Sequence, residues 1–206
     1  DDNIVVEEKG IYSIEKFIVA RRLMYWQVYL HKTSLVADLM LKNAIYRAKF
    51  LFANGTLSHS SSSNLDFFLS NAISKNEFAL HVDKFAALDD FDIFQALKNW
   101  MNVEDKILSQ LATSIVQRKL FKIEFLEPAI VQQRYHALQQ QYNEEEMQFL
   151  VLKGTAENNA YNLTKDNIYI KFKDGSIKEI TDIAEQWNIR SLTNAVVKHY
   201  IAYPKM

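Results

Sequence analysis

The chain contains no cysteine, so it can form neither disulfides nor thiolate metal sites. Four glycines and two prolines in 206 residues leave few places where a helix must break, and the sequence is expected to be rich in helix. No apolar run approaches the ~20 residues a helix needs to span a bilayer, and no signal-peptide pattern opens the chain. A formal charge of −1 provides no whole-chain attraction to nucleic acid or acidic membranes. Together these absences fit a reducing compartment; the cytoplasm is the expected location, with no membrane partner. What is present is a globular composition, 49% hydrophobic and 13% aromatic, enough for a substantial core.

The order of the chain suggests a mainly α protein with a smaller α+β C-terminal portion. Residues 1–13 read as a β-hairpin lead-in, with short strands at Ile4–Val6 and Ile11–Ile14 around Glu8-Lys9-Gly10. Such a hairpin is marginal alone. It follows Asp1-Asp2-Asn3 with no methionine, and the chain is expected to continue a longer protein. Residues 14–118 read as a helical portion. One long helix is expected from Ile14 to Phe52, with Phe17, Met24, Val28, Leu35 and Leu39 recurring at helical spacing, closed by Asn54-Gly55. A mobile loop containing Ser60–Ser63 follows, then short helices near Leu65–Ile73 and Asn76–Phe85. Asp89 or Asp90 is expected to cap a helix reaching Met101, and another helix runs from Glu104 to Arg118.

Residues 119–206 read as the α+β portion. Leu120–Phe125 alternates like a strand, and Glu127-Pro128 opens a helix carrying Ile130, Tyr135, Leu138 and Tyr142. Gln148–Leu152 reads as a strand, and Ile168–Phe172 with Ile177–Ile180 reads as a hairpin about Asp174-Gly175. A short helix and a strand near Val197–Ala202 complete the chain.

One stretch carries chemistry. At 100° per residue, Arg21, Tyr25, Tyr29 and Lys32 fall within an arc of roughly 80°. A guanidinium holds phosphate oxygens through paired donors, and a tyrosine stacks on a base or sugar while offering its hydroxyl. The region is locally basic: between Ile14 and Phe52 seven cations stand against Glu15 and Asp38, a net +5. The five histidines are scattered, without a His-Asp pair or HExxH, and no metal-ligand set is visible. Asp89, Asp90 and Asp92 suit a helix cap better than a cation site. Lys171, Lys173 and Lys178 read as a solvated face, and Glu144–Glu146 as the exposed end of a helix.

The segment Ala20-Arg21-Arg22-Leu23-Met24-Tyr25-Trp26-Gln27-Val28-Tyr29-Leu30-His31-Lys32-Thr33 resembles the HD-domain phosphohydrolases, above all bacterial HD-superfamily proteins of the Bacteroidetes type, relatives of the deoxynucleotide triphosphohydrolases. The likeness continues through Leu88–Ile93, Arg118–Lys122, Lys173–Lys178 and Tyr200–Lys205. It implies a helical HD-like core remnant and a parent enzyme that uses a divalent metal (Mn, Mg, Fe or Zn) to activate water. The family's ligands are a histidine, a His-Asp pair and an aspartate, none of which this chain carries in pattern. By the same resemblance Arg21 matches a triphosphate-binding arginine and Tyr29 a tyrosine beside the deoxyribose. Tyr25 stands where the vertebrate dNTPase has an active-site histidine. His31 and Lys32 match residues near a subunit interface and effector site. The resemblance thus implies a C-terminal fragment that binds part of a dNTP, assembles as a homo-oligomer, holds no metal and is inactive alone. A non-catalytic nucleic-acid-binding or oligomerisation module is the alternative, from the +5 segment. If the fragment reading holds, coding sequence upstream of Asp1 carries a His…His-Asp…Asp set; an upstream frame without it would count against the reading.

Overall fold

The computed structural model describes residues 4–60, 62–158, 167–183 and 196–205. It is mainly helical with two three-stranded sheets, in keeping with the expected fold class. The described residues form two compact units, one from 1–34 and 155–199, the other from 35–154 and 200–206. The stretches 14–118 and 119–206 each contribute to both units.

In the first unit, strand β1 (Val5–Glu7) leads through a 3-10 turn (Glu8–Gly10) into helix α1 (Ile11–Met24). Strand β1 runs parallel to β4 (Tyr169–Lys171), which pairs antiparallel with β5 (Ile177–Glu179). The β4–β5 turn follows the sequence closely. Gly175 takes φ +85°, which a side chain would oppose, and the Ser176 amide and hydroxyl both donate to Asp174. Helix α9 (Ile180–Ile183) follows β5. This is the short helix expected after the hairpin.

The lead-in hairpin is not formed. Ile11–Ile14 belongs to α1, and β1 takes its partner from more than 160 residues away. Ile11, Ile14 and Ile18 recur at helical spacing and pack with Ile170 and Ile180 into the core of this unit. A long-range core contact therefore outweighs a local turn. The long helix is also interrupted. After α1 comes a π-helical turn, Tyr25–Tyr29, in which the Leu30 amide donates to the Tyr25 carbonyl at 2.7 Å. Helix α2 (Lys32–Ala53) then begins afresh, with His31 Nδ1 accepting the Thr33 amide.

The second unit takes α2 as its spine. Val36, Met40, Ala44, Arg47, Ala48 and Leu51 lie on the buried side of the helix, which closes at Gly55 with φ +69°. Around it come α3 (Ser63–Ser70), a 3-10 turn (Phe78–His81), α4 (Val82–Ala86), α5 (Asp90–Trp100) and α6 (Lys106–Val116). Strand β2 (Lys122–Phe125), α7 (Pro128–Leu138) and α8 (Glu144–Leu150) follow, with residues 152–154 of β3 (Leu152–Asn158) and 200–203 of β6 (Val196–Tyr203) also in this unit, the sheet running β2-β6-β3. Helices α7 and α8 cover β6 through Val131, Leu138, Met147 and Ile201. Asp89 caps α5 in a reciprocal box with Asp92, as its sequence suggests.

Two local expectations change here. Two of the serines are tied down: Ser60 is buried with its amide on Asp66, and Ser62 caps α3. Gln148–Leu150, expected as strand, is the last turn of α8, because Asn143 and Glu146 form a capping box that starts a helix there. The glutamates 144–146 are its first turn, where negative charge suits the helix dipole.

Arg47 joins three of these helices. It is 4% exposed, yet its guanidinium donates to Asp105 and to Glu145 and lies between the rings of Phe50 and Phe149, 5.2 and 5.1 Å from their centres. Asp105 is itself the N-cap of α6, accepting the Leu108 amide, and Glu145 lies in α8. Burial pushes the Asp105 carboxyl upward, but the Arg47 and Leu108 bonds prevail and hold it below the usual aspartate range. Arg47→Ala strands Asp105 in the interior and is expected to lower stability by about 3–5 kcal/mol, read by urea denaturation. Because the folded carboxyl titrates low, its contribution is complete above about pH 4 and is lost as pH falls through the folded value. Asp105→Asn should therefore flatten the acid limb of the stability profile; an unchanged limb would contradict the assignment.

Candidate ligand recess on the first helix

In α1 apolar residues occur on every side, so spacing alone does not say which side is inside. The isoleucine side is buried, and another carries an open recess of about 460 Å³ lined by Phe17, Ala20, Arg21, Met24, Tyr25 and Tyr29. Tyr25 is half-buried while Phe17, Arg21, Met24 and Tyr29 are exposed. The Tyr25 and Tyr29 rings lie 5.3 Å apart and tilted by 54°, and the Arg21 guanidinium carbon is 5.9 Å from the Tyr25 ring centre. At that distance the cation feels the ring's negative face.

The π turn shapes this end of the recess. Its i→i+5 bond inserts a residue into the helical turn, a feature concentrated at functional sites. Tyr25 and Tyr29 are the first and last residues of that turn, and Trp26 between them takes the Lys198 ammonium over its ring at 4.1 Å. Chemically, the recess offers one fixed cation, two phenols and an apolar floor. Among its lining residues there is no carboxylate or imidazole to act as a base. A guanidinium beside two phenols has the chemistry to meet an anionic, ring-bearing molecule.

Of the residues singled out from sequence, Arg21, Tyr25 and Tyr29 come together. Lys32 does not join them: the π turn and the break at Leu30 start a new helix, and Lys32 is absent from the recess lining. His31 is exposed and engaged with the Thr33 amide. Phe17 and Met24, which mark the helix by their period, are wall residues of the recess. Their positions four before and three after Arg21 are the signal that places them there. The basic character of residues 14–52 is smaller in the fold than in the sequence, because Arg47 is buried in ion pairs and Lys42 pairs with Asp38 at 2.7 Å.

A second recess of the same unit, about 260 Å³, is lined by Glu7, Glu8, Lys9, Lys171, Phe172 and Lys173. Lys9 pairs with Glu7, so its charge is largely answered. Two of the three hairpin lysines thus border a mixed-charge hollow, and Lys178 sits over the Phe172 ring. Among the described residues no group of three or more His, Cys, Asp or Glu converges as a metal site requires. The histidines have separate local neighbours: His59 faces Asp66, His81 the Phe67 ring, and His136 links Gln132 with Gln139. No described helix is long and apolar enough to cross a membrane.

If an anion occupies the recess, Arg21, the one cation among its described lining residues, should matter before any other of them. Arg21→Ala is expected to weaken inorganic triphosphate binding about ten- to a hundredfold by calorimetry, while Tyr29→Phe leaves it within about twofold. Unchanged binding in Arg21→Ala with a loss in Tyr29→Phe would mean that the phenol rather than the guanidinium holds the anion.

Comparison with known proteins places this geometry in context. Residues 1–66, which include α1 and the π turn, match the family model of the HD associated region. The uncharacterized protein YwfO of Bacillus subtilis is 32% identical over 127 residues, covering 61% of this chain and 28% of that protein. The crystal structure of a phosphohydrolase from Bacteroides thetaiotaomicron superposes with a TM-score of 0.83 at 40% identity, covering 100% of this chain and 53% of that one. A hypothetical protein from Aquifex aeolicus shares the fold, with a TM-score of 0.60 at 21% identity over 98% of this chain and 44% of its own. The chain thus spans about half the length of the phosphohydrolase it matches and less than a third of YwfO. These matches support a relation of the chain to the HD superfamily and a likeness to a phosphohydrolase.

Proposed function

We propose that this chain is the C-terminal, substrate-binding part of a metal-dependent HD phosphohydrolase acting on deoxynucleoside triphosphates. One observation carries the reading: Arg21 stands beside the Tyr25–Tyr29 pair in an open recess, within the segment that matches the HD associated region. Arg21 holds the phosphate chain, and the two tyrosines receive the sugar and base. In the same reading His31 and Lys32, at the head of α2, serve a subunit or effector contact, and the protein assembles as a homo-oligomer.

The divalent ion of such an enzyme does not fit the residues described here, since no three potential ligands converge among them. No chemical step is derived through it, and the proposal assigns its ligands to residues outside this chain. What these residues contribute is binding and orientation, which lower the barrier only if they hold the phosphate better as charge shifts during transfer.

The decisive measurement compares two proteins. One combines an HD metal motif with this segment and is assayed for phosphate or triphosphate release from dNTPs with Mn²⁺ or Mg²⁺. The other is the 206-residue chain. Release is expected only from the first, with kcat/KM falling about ten- to a hundredfold in its Arg21→Ala variant. Turnover by the 206-residue chain, or unchanged kcat/KM in the variant, would refute the proposal.

A further inference from the structure

A recess of about 300 Å³ lies within the second unit, lined by residues of α2, α7, α8, β3 and β6. Its floor is aliphatic. Leu39 comes from α2, Met147 from α8, and Val151 and Leu152 from the passage into β3; the last three are buried.

Around this floor stand polar side chains with unused hydrogen-bonding groups. Tyr200 is 7% exposed and lines the recess, yet its hydroxyl has no hydrogen-bond partner among the described residues. A buried side-chain oxygen ordinarily has one. Gly154 makes room for this phenol, since a Cβ there would stand 2.7 Å from the Tyr200 Oη. Burial pushes the phenol's pKa upward, so at neutral pH it keeps its proton and can donate. Asn43, half-buried on α2, and Gln148, on α8, bring carboxamides that are likewise unpaired among the described residues. Lys153 holds its ammonium 3.7 Å from the Tyr135 ring centre and has no carboxylate partner among those residues.

Charge and size narrow the ligand. Lys153 is the one cation among the described lining residues, and no carboxylate is among them. Lys42 and Asp38, whose charges reach Tyr200, pair with each other at 2.7 Å and leave no net charge beside it. One positive charge answers a monoanion, whereas a triphosphate would bring several charges that nothing here neutralises. The volume lies at the small end for ligand sites. The floor suits an alkyl chain better than a stacked ring.

We propose that this recess binds a short aliphatic monocarboxylate. The carboxylate accepts from the Lys153 ammonium and the Tyr200 hydroxyl, with the Asn43 and Gln148 carboxamides as further donors. The alkyl chain lies on Leu39, Met147, Val151 and Leu152, where its burial adds affinity. This site shares no residue with the Arg21 recess of the first unit and goes beyond the nucleotide reading. A ligand here touches several elements of the second unit and stabilises it by mass action.

The test titrates the 206-residue chain with hexanoate, followed by two-dimensional ¹H–¹⁵N NMR. Hexanoate is expected to move the side-chain amide signals of Asn43 and Gln148 and the backbone amide of Gly154. The shifts should saturate with a Kd of about 1 mM or below, while the amides of Tyr25 and Tyr29 stay in place. Hexanamide, nearly the same shape without the charge, should bind about tenfold more weakly. Hexanoate should lose about tenfold in Lys153→Met, which keeps the apolar stem, and in Tyr200→Phe, which keeps the ring. Native-like spectra of both variants verify that they fold. No shift at Asn43 and Gln148 by about 20 mM hexanoate overturns the proposal. Equal binding of hexanamide, unchanged affinity in either variant, or shifts confined to Tyr25 and Tyr29 overturns it as well.

Discussion

A guanidinium with almost no access to water anchors the second unit. Arg47 enters the interior on α2, and its charge is tolerable there only because Asp105 and Glu145 come to meet it between two phenylalanine rings. Each partner has a further duty. Asp105 accepts the Leu108 amide and so begins α6, while Glu145 sits in the first turn of α8 just after the Asn143 cap. One buried charge thereby sets where α6 and α8 start with respect to α2. The apolar contacts around it, such as Met40, Leu108 and Leu111, are strong but non-directional. The ion pairs supply the direction, because a misplaced helix leaves a charge unpaired in the interior.

The first unit uses a different device. Helix α1 has three sides, and its isoleucines choose which of them meets the small sheet of β1, β4 and β5. That choice leaves the Arg21–Tyr25–Tyr29 side facing outward. The π turn then widens the helix where the two tyrosines stand and ends it at Leu30. The recess here needs no loop of its own; it arises where a helix with too many apolar sides buries only one of them.

Legibility in the sequence followed the range of the interaction that settles each element. The Asp174-Gly175 hairpin, the Asp89 cap and the Pro128 helix start were readable because backbone geometry within four or five residues decides them. Arg21, Tyr25 and Tyr29 were readable as one group because they lie one turn apart. The Lys32 end of that group was not, since a π turn changes the count of residues per turn without a composition signal. The period of Phe17, Met24 and Val28 marked a helix without telling which side is inside; all three are exposed, because several periods fit a helix that is apolar all round.

The amino-acid sequence by itself determined the helical class, most caps and turns, the lack of any thiolate site, and the presence of a cation with two phenols on one helical stretch. Each is a property of composition or of neighbours along the chain. Only the tertiary structure decided that β1 pairs with β4, that Arg47 is a buried tie rather than part of a basic surface, and which side of α1 meets the sheet. These outcomes depend on residues tens to more than a hundred positions apart competing for the same interior, and burial energy is settled only once the chain has brought them together.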